Sequence, residues 1–89
     1  MRSLSQTTQF AKDLKRMGKR GKDFDRLQEV VRKLARGERL DPRHRDHPLR
    51  GGWKGSRDCH VEPDWVLIYT VDDASLRLER TGTHADLFE

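Results

Sequence analysis

Apolar residues recur at helical spacing in two early stretches. Phe10, Leu14 and Met17 form one stripe, and Phe24, Leu27, Val30, Val31 and Leu34 form a stronger one. The stripes predict amphipathic helices over about Gln6–Met17 and Asp23–Arg36, joined by the stretch GKRGK, whose glycines permit a tight connection. Asp23 stands where a carboxylate can accept the orphan amides of the second helix. Gly37 stands where a left-handed residue ends it, and Asp41-Pro42 prevents its resumption. An antiparallel helix hairpin is the economical arrangement, with residues 2–5 as a short first strand.

From Asp41 to Lys54 there is no period, only prolines and paired glycines, so this stretch reads as a loop over the body. Period two then begins. Over Ser56–Glu62, Cys59 and Val61 fall on one face, and Ser56, Asp58, His60 and Glu62 on the other. Trp65–Val71 (WVLIYTV) is rich in strand formers and reads as the central strand, followed by a turn at 72–75 and an alternating strand with Leu76 and Leu78 inward. Helices and then a small antiparallel sheet make an α+β plan. Its core forms where Phe10, Leu14, Val30 and Leu34 meet one sheet face, and the other face reads as too polar to be covered and open to a ligand.

Composition narrows the class. At 89 residues and 33% hydrophobic content, residues 1–89 are read as one domain with one modest core. Charge is divided unevenly: residues 1–45 carry 14 Lys+Arg against 6 Asp+Glu, net +8, and residues 46–89 carry 5 against 9, net −4. A basic half joined to a chemically varied half suits a polyanion held by one part and handled by the other. A single cysteine, Cys59, excludes an internal disulfide framework. No stretch is long and apolar enough for a signal sequence or a membrane span, so a cytoplasmic protein is expected.

Four histidines raise the question of metal. Strand parity opposes it, because Cys59 and His60 are adjacent and point to opposite faces; neither C-x-x-C nor H-E-x-x-H occurs. No metal and no cofactor are expected. Acid/base chemistry needs neither, since imidazole can both take and give protons near neutrality. His47, His60, Asp64 and His84 around one sheet face would supply base, acid and an orienting carboxylate, with Lys54, Arg57 and Arg80 as cations for a phosphate. Trp65 opens a buried-looking strand and has a core reading beside its functional one, whereas Phe88, next to the terminus, suits a stacking surface for a nucleobase.

The stretches DHPLRGGWKGSRDCHVEPDWVLIYTV and LRLERTGTHADLF resemble the YafQ-type branch of the RelE/ParE toxin superfamily, closely over Asp46–Phe88 and only in plan over residues 1–45. The resemblance implies a microbial-RNase-like α+β fold, with two helices on a twisted antiparallel sheet. It implies the toxin of a bacterial toxin–antitoxin pair, an endoribonuclease that cuts messenger in the ribosomal A site. His47, His60, Asp64, His84 and Phe88, with Trp65 beside them, match the family's functional positions. The expected reaction is attack by the substrate's own 2′-hydroxyl. His84 would be the acid and His60 with Asp64 the base, or the two histidines exchanged. His47, Lys54 and Arg57 would stabilise the phosphorane. The implied partners are messenger on the ribosome, ribosomal RNA gripped by the basic helices, and an acidic antitoxin. The rivals are a ParE-like protein that poisons a topoisomerase without cutting RNA, and an inactive binding module. The ParE-like rival needs no histidine cluster, so His47, His60 and His84 together favour the nuclease over it.

Overall fold

In the computed structural model, which describes residues 1–88, local capping signals start and stop the two long helices. Strand β1 (Ser3–Gln6) leads into α1 (Thr8–Lys19), where the Thr7 hydroxyl accepts the Phe10 amide. Helix α2 (Phe24–Ala35) starts at Asp23, whose carboxylate accepts the Asp25 amide. Gly21 and Gly37 sit at φ +78° and +75°. In each turn the glycine amide and the one after it close back onto carbonyls of the last helical turn: Gly21 and Lys22 on Gly18 and Met17, Gly37 and Glu38 on Leu34 and Lys33. A left-handed residue is needed at both places, and glycine takes it without strain.

The chain then forms β2 (His47–Pro48), β3 (Arg57–Glu62), β4 (Trp65–Val71), β5 (Ser75–Gly82) and a short helix α3 (His84–Phe88). The sheet has five strands in the order β1-β5-β4-β3-β2. Its β2–β5 section is antiparallel, but β1 lies parallel to β5, so the sheet is mixed rather than antiparallel throughout. Nothing ties β1 to a hairpin, and the helices that follow it carry the chain away from the sheet before it returns. The 41–54 stretch is also more ordered than a plain loop, with two 3-10 turns (Pro42–His44 and Gly51–Trp53) and the short β2.

Helices cover one sheet face. Phe10, Met17, Leu27, Val30 and Leu34 meet Cys59, Val61, Trp65, Leu67, Tyr69, Leu76 and Leu78 there. Leu14 lies half-buried against this core. The opposite face is not left open as expected. Val66 and Ile68 form a second apolar patch that Leu87 of α3 covers, with Leu49 and Trp53 against it. That face stays polar beside β3 and again at Thr70, Arg77 and Glu79, which hydrogen-bond to one another.

On the edge away from β4, the far end of β5 has no strand partner, because β1 pairs only with Ser75–Leu78. Helix α1 takes its place through one carboxylate. Asp13 is wholly buried and accepts the Thr81 amide at 3.1 Å and the Arg80 guanidinium at 2.9 and 3.0 Å, with Gln9 and Arg16 also donating. Burial alone would make this acid weaker, but Arg80 and the Thr81 amide outweigh it and hold its proton affinity below the ordinary value.

Helix α3 is too short to persist unaided. Thr83 and Asp86 hold it with reciprocal bonds: the Thr83 hydroxyl accepts the Asp86 amide and the Asp86 carboxylate accepts the Thr83 amide. Asp86 is tied onward to Arg20 at 2.6 and 3.2 Å. Gly82 makes this approach possible, since a Cβ there would stand 3.0 Å from Asp86 Cβ.

Two outcomes follow from these ties. Asp13→Asn should cost about 2–3 kcal/mol in urea unfolding at pH 7, because it strands two arginines that are only partly exposed. The folded acid is stronger than its ordinary 3.8, so the stability it contributes is intact above that pH and lost as pH falls through the lower folded value; the variant should therefore show a shallower acid transition. An unchanged urea midpoint would contradict the role given to Asp13. Asp86→Ala should raise hydrogen exchange at the Leu87 amide about fivefold or more, the weight of a cap bond worth ~1 kcal/mol. Unaltered exchange would mean that Leu87 packing alone holds α3.

Candidate active site

The site lies where the β3–β4 corner meets α3. A β-bulge sets the corner: His60 pairs with Val66, Glu62 pairs with Trp65, and Val61 is the extra residue between them. The bulge reverses the alternation after His60. Glu62, expected on the histidine's face, instead turns to the helix side and meets Lys22 at 3.1 Å and Arg26 at 3.5 Å. His60 stays on the opposite face with Asp58, and both are buried.

His60 is fixed from two sides. Its own Nδ1–H donates to the Pro63 carbonyl at 3.0 Å, and the buried His44 donates from Nδ1 to the His60 carbonyl. A carbonyl can only accept, so the neutral His60 ring carries its proton on Nδ1 and leaves the Nε2 lone pair for a substrate proton.

His84 is the first residue of α3, and its ring centroid lies 5.2 Å from that of His60. Asp64, from the corner, accepts both the His84 amide and His84 Nδ1 at 3.3 Å. These two contacts hold the Asp64 acid below its ordinary range, as an anion. The expectation that Asp64 serves His60 is thus corrected: its carboxylate faces His84, because the turn after Pro63 aims it at the start of α3. Phe88, one helical turn further on, stands 5.8 Å from the His84 ring and is 42% exposed. His47 reaches the cluster from β2, paired across the ladder with Asp58. Its Nδ1 lies 2.7 Å from the Arg45 carbonyl and 3.1 Å from Asp58 Oδ1, and its side chain is half exposed.

His47, His60, Asp64, His84 and Phe88 therefore converge, drawn from three separate elements. The other expected contacts do not join them. Trp65 is fully buried on the helix face, where its Nε1–H donates to the Thr81 hydroxyl at 2.8 Å, so it has no surface to offer a substrate. Arg80 is committed to Asp13. Arg57 shares the helix-side parity of Cys59 and is held by Asp46, which also accepts the Tyr69 hydroxyl. Lys54 is exposed in the turn before β3 and makes no ion pair among the described residues.

Sequence reasoning missed two supports. His44 looked like one more candidate ligand, and nothing in a single histidine reveals that it will brace a carbonyl sixteen residues on. Helix α3 did carry a signal, the capping pair Thr83-x-x-Asp86, although it precedes too short a run to stand out. Among the described residues, no three His, Cys, Asp or Glu side chains are arranged to hold a metal ion.

Comparison with known proteins identifies the family. Residues 2–89 match the family described as the bacterial toxin of type II toxin-antitoxin system, YafQ. The chain is 49% identical over 88 residues to the mRNA interferase toxin YafQ of Escherichia coli, covering 98% of this chain and 96% of that protein. Among solved structures, the E. coli DinJ-YafQ complex matches with TM-score 0.93 at 48% identity, all of both chains being covered. A metal-bound toxin from Helicobacter pylori matches with TM-score 0.92 at 41% identity, over 99% of this chain and all of that one. With the family match spanning residues 2–89 and the fold in accord, this protein belongs to the YafQ family of bacterial toxins.

Proposed function

We propose that this chain is a ribosome-dependent endoribonuclease that cuts messenger by metal-independent acid/base catalysis and is neutralised by a cognate antitoxin. The observation that carries it is the adjacent pair of imidazoles, His60 and His84, each with Nδ1 held by a fixed acceptor and Nε2 left for the substrate. His60 Nε2 takes the proton of the substrate's 2′-hydroxyl. The 2′-oxygen bonds to the adjacent phosphorus, the bond from phosphorus to the 5′-oxygen breaks, and that oxygen takes a proton from His84 Nε2. The Asp64 carboxylate holds His84 at Nδ1 and so leaves Nε2 as the nitrogen that gives this proton. No external nucleophile is needed, because the attacking hydroxyl is already tethered beside its target. His47 stands at the edge of the pair as a cation for the phosphorane, and the half-exposed Phe88 ring offers a face on which a messenger base can stack.

Docking falls to the basic half. Lys12, Lys15 and Lys19 lie along one exposed face of α1 and make no ion pair among the described residues, so they are available to ribosomal RNA phosphates. The E. coli relative is seen bound to DinJ, which supports a cognate antitoxin for this chain. An acidic segment suits the same basic surface.

His84→Ala and His60→Ala should each lower the rate of ribosome-bound messenger cleavage by about 100-fold or more, with the fold intact by circular dichroism. Two variants that cleave like the unaltered protein would refute the assignment. The products should carry a 2′,3′-cyclic phosphate and a 5′-hydroxyl, and a 5′-phosphate would show attack by water instead. Cleavage should persist in chelator. Loss in chelator restored by zinc or magnesium would overturn the metal-free step.

A further inference from the structure

Asp58 has no part in the reaction as set out above, yet it lies beneath the whole cluster. It is 3% exposed and sits on β3 between its ladder partner His47 and its near neighbour His60. Its Oδ1 is buried and accepts no hydrogen bond. A carboxylate oxygen withdrawn from water without a donor is costly, and native proteins rarely keep one without a use. Burial weakens the acid, and the nearby His47, His60 and His84 oppose that shift while Asp46 adds to it.

The nearest candidate donor is His47 Nδ1, at 3.1 Å. In the resting molecule its single N–H is directed to the Arg45 carbonyl at 2.7 Å, so the contact with Asp58 is one of charge and proximity rather than a hydrogen bond. A carboxylate is the stronger acceptor once the ring is positive. We propose that Asp58 is a positioning residue that acts through His47: its unpaired oxygen receives the His47 Nδ1–H when the ring is an imidazolium, holding that cation toward the scissile phosphate. The carboxylate touches no substrate. It sets the direction and charge of the group that does. The inference rests on the proposed reaction at this site.

Asp58→Asn keeps the shape and removes the charge. Cleavage of ribosome-bound messenger should show kcat reduced about tenfold or more with KM unchanged, and the alkaline limb of the kcat profile should move to lower pH by about half a unit or more. In a His47→Ala background the same substitution should cost less than about twofold, because the residue it acts through is gone. The urea midpoint at pH 7 should stay or rise, since a buried unpaired charge has been removed. Wild-type kcat and profile in Asp58→Asn would overturn the inference, as would a cost undiminished in the His47→Ala background or a loss of kcat matched by a falling urea midpoint. Should the Asn variant fail to fold, Asp58→Ser carries the same comparison. His60→Ala and His84→Ala measured alongside separate the two levels: if they too leave cleavage unaltered, the reaction itself is wrong, and if they abolish it while Asp58→Asn does not, only the role of Asp58 falls.

Discussion

Asp13 closes the open end of the sheet, and the geometry of the site descends from that closure. Its two oxygens replace the strand that β5 lacks beyond Leu78, taking the Thr81 amide and both faces of the Arg80 fork. An unpaired edge amide at this depth would be costly, so α1 is fixed against β5 in one position rather than sliding along it. Arg16 on the same helix and Arg20 at its C-terminal cap then reach Asp86 and carry that fixed position to the start of α3. His84 is placed by a helix of only five residues because both the helix and the strand before it are anchored to α1.

The second constraint is the bulge at Val61. It lets one strand serve two faces: Cys59 and Val61 join the core, His60 remains on the opposite face, and Glu62 crosses over to bind Lys22 and Arg26. Without the extra residue, Glu62 would stand beside His60 and add a like charge near Asp58 and Asp64. The corner that follows is short, so Asp64 meets His84 and no farther partner. Packing and chemistry are thus divided by strand parity, with one deliberate interruption.

Much of this could be read from the chain. The helical stripes, the Asp23 cap, Gly37 and the inward Leu76 and Leu78 follow from local rules, and the structure has them. The family resemblance rests on residues 46–88, where short motifs occur in order. The failures share a cause, which is that side chains were assigned from sequence position when distant partners decide them. Arg80 looked like a phosphate ligand until Asp13, 67 residues away, claimed it. Trp65 carries both a core and a substrate-contact reading, and its buried indole bound to Thr81 decides for the core. Bulges shift parity without leaving a mark in composition, which is why Glu62 was placed on the wrong face. The mixed sheet was likewise not legible, because four residues of β1 carry no information about direction.

The candidate site is built with little material: two imidazoles, a carboxylate for one of them, and a scaffold that makes their neutral tautomers definite. In the proposed reading, docking rests on the exposed lysines of α1 and cleavage on the histidine cluster, so the two tasks fall to different residues of one small chain. The central claim is that two imidazoles work in opposite protonation states. The pH dependence of messenger cleavage on the ribosome tests it most directly. A bell-shaped kcat profile is predicted, with both limbs falling in the range where histidines titrate, about pH 5 to 8. A rate that climbs steadily with hydroxide, or ignores pH across that range, would contradict it.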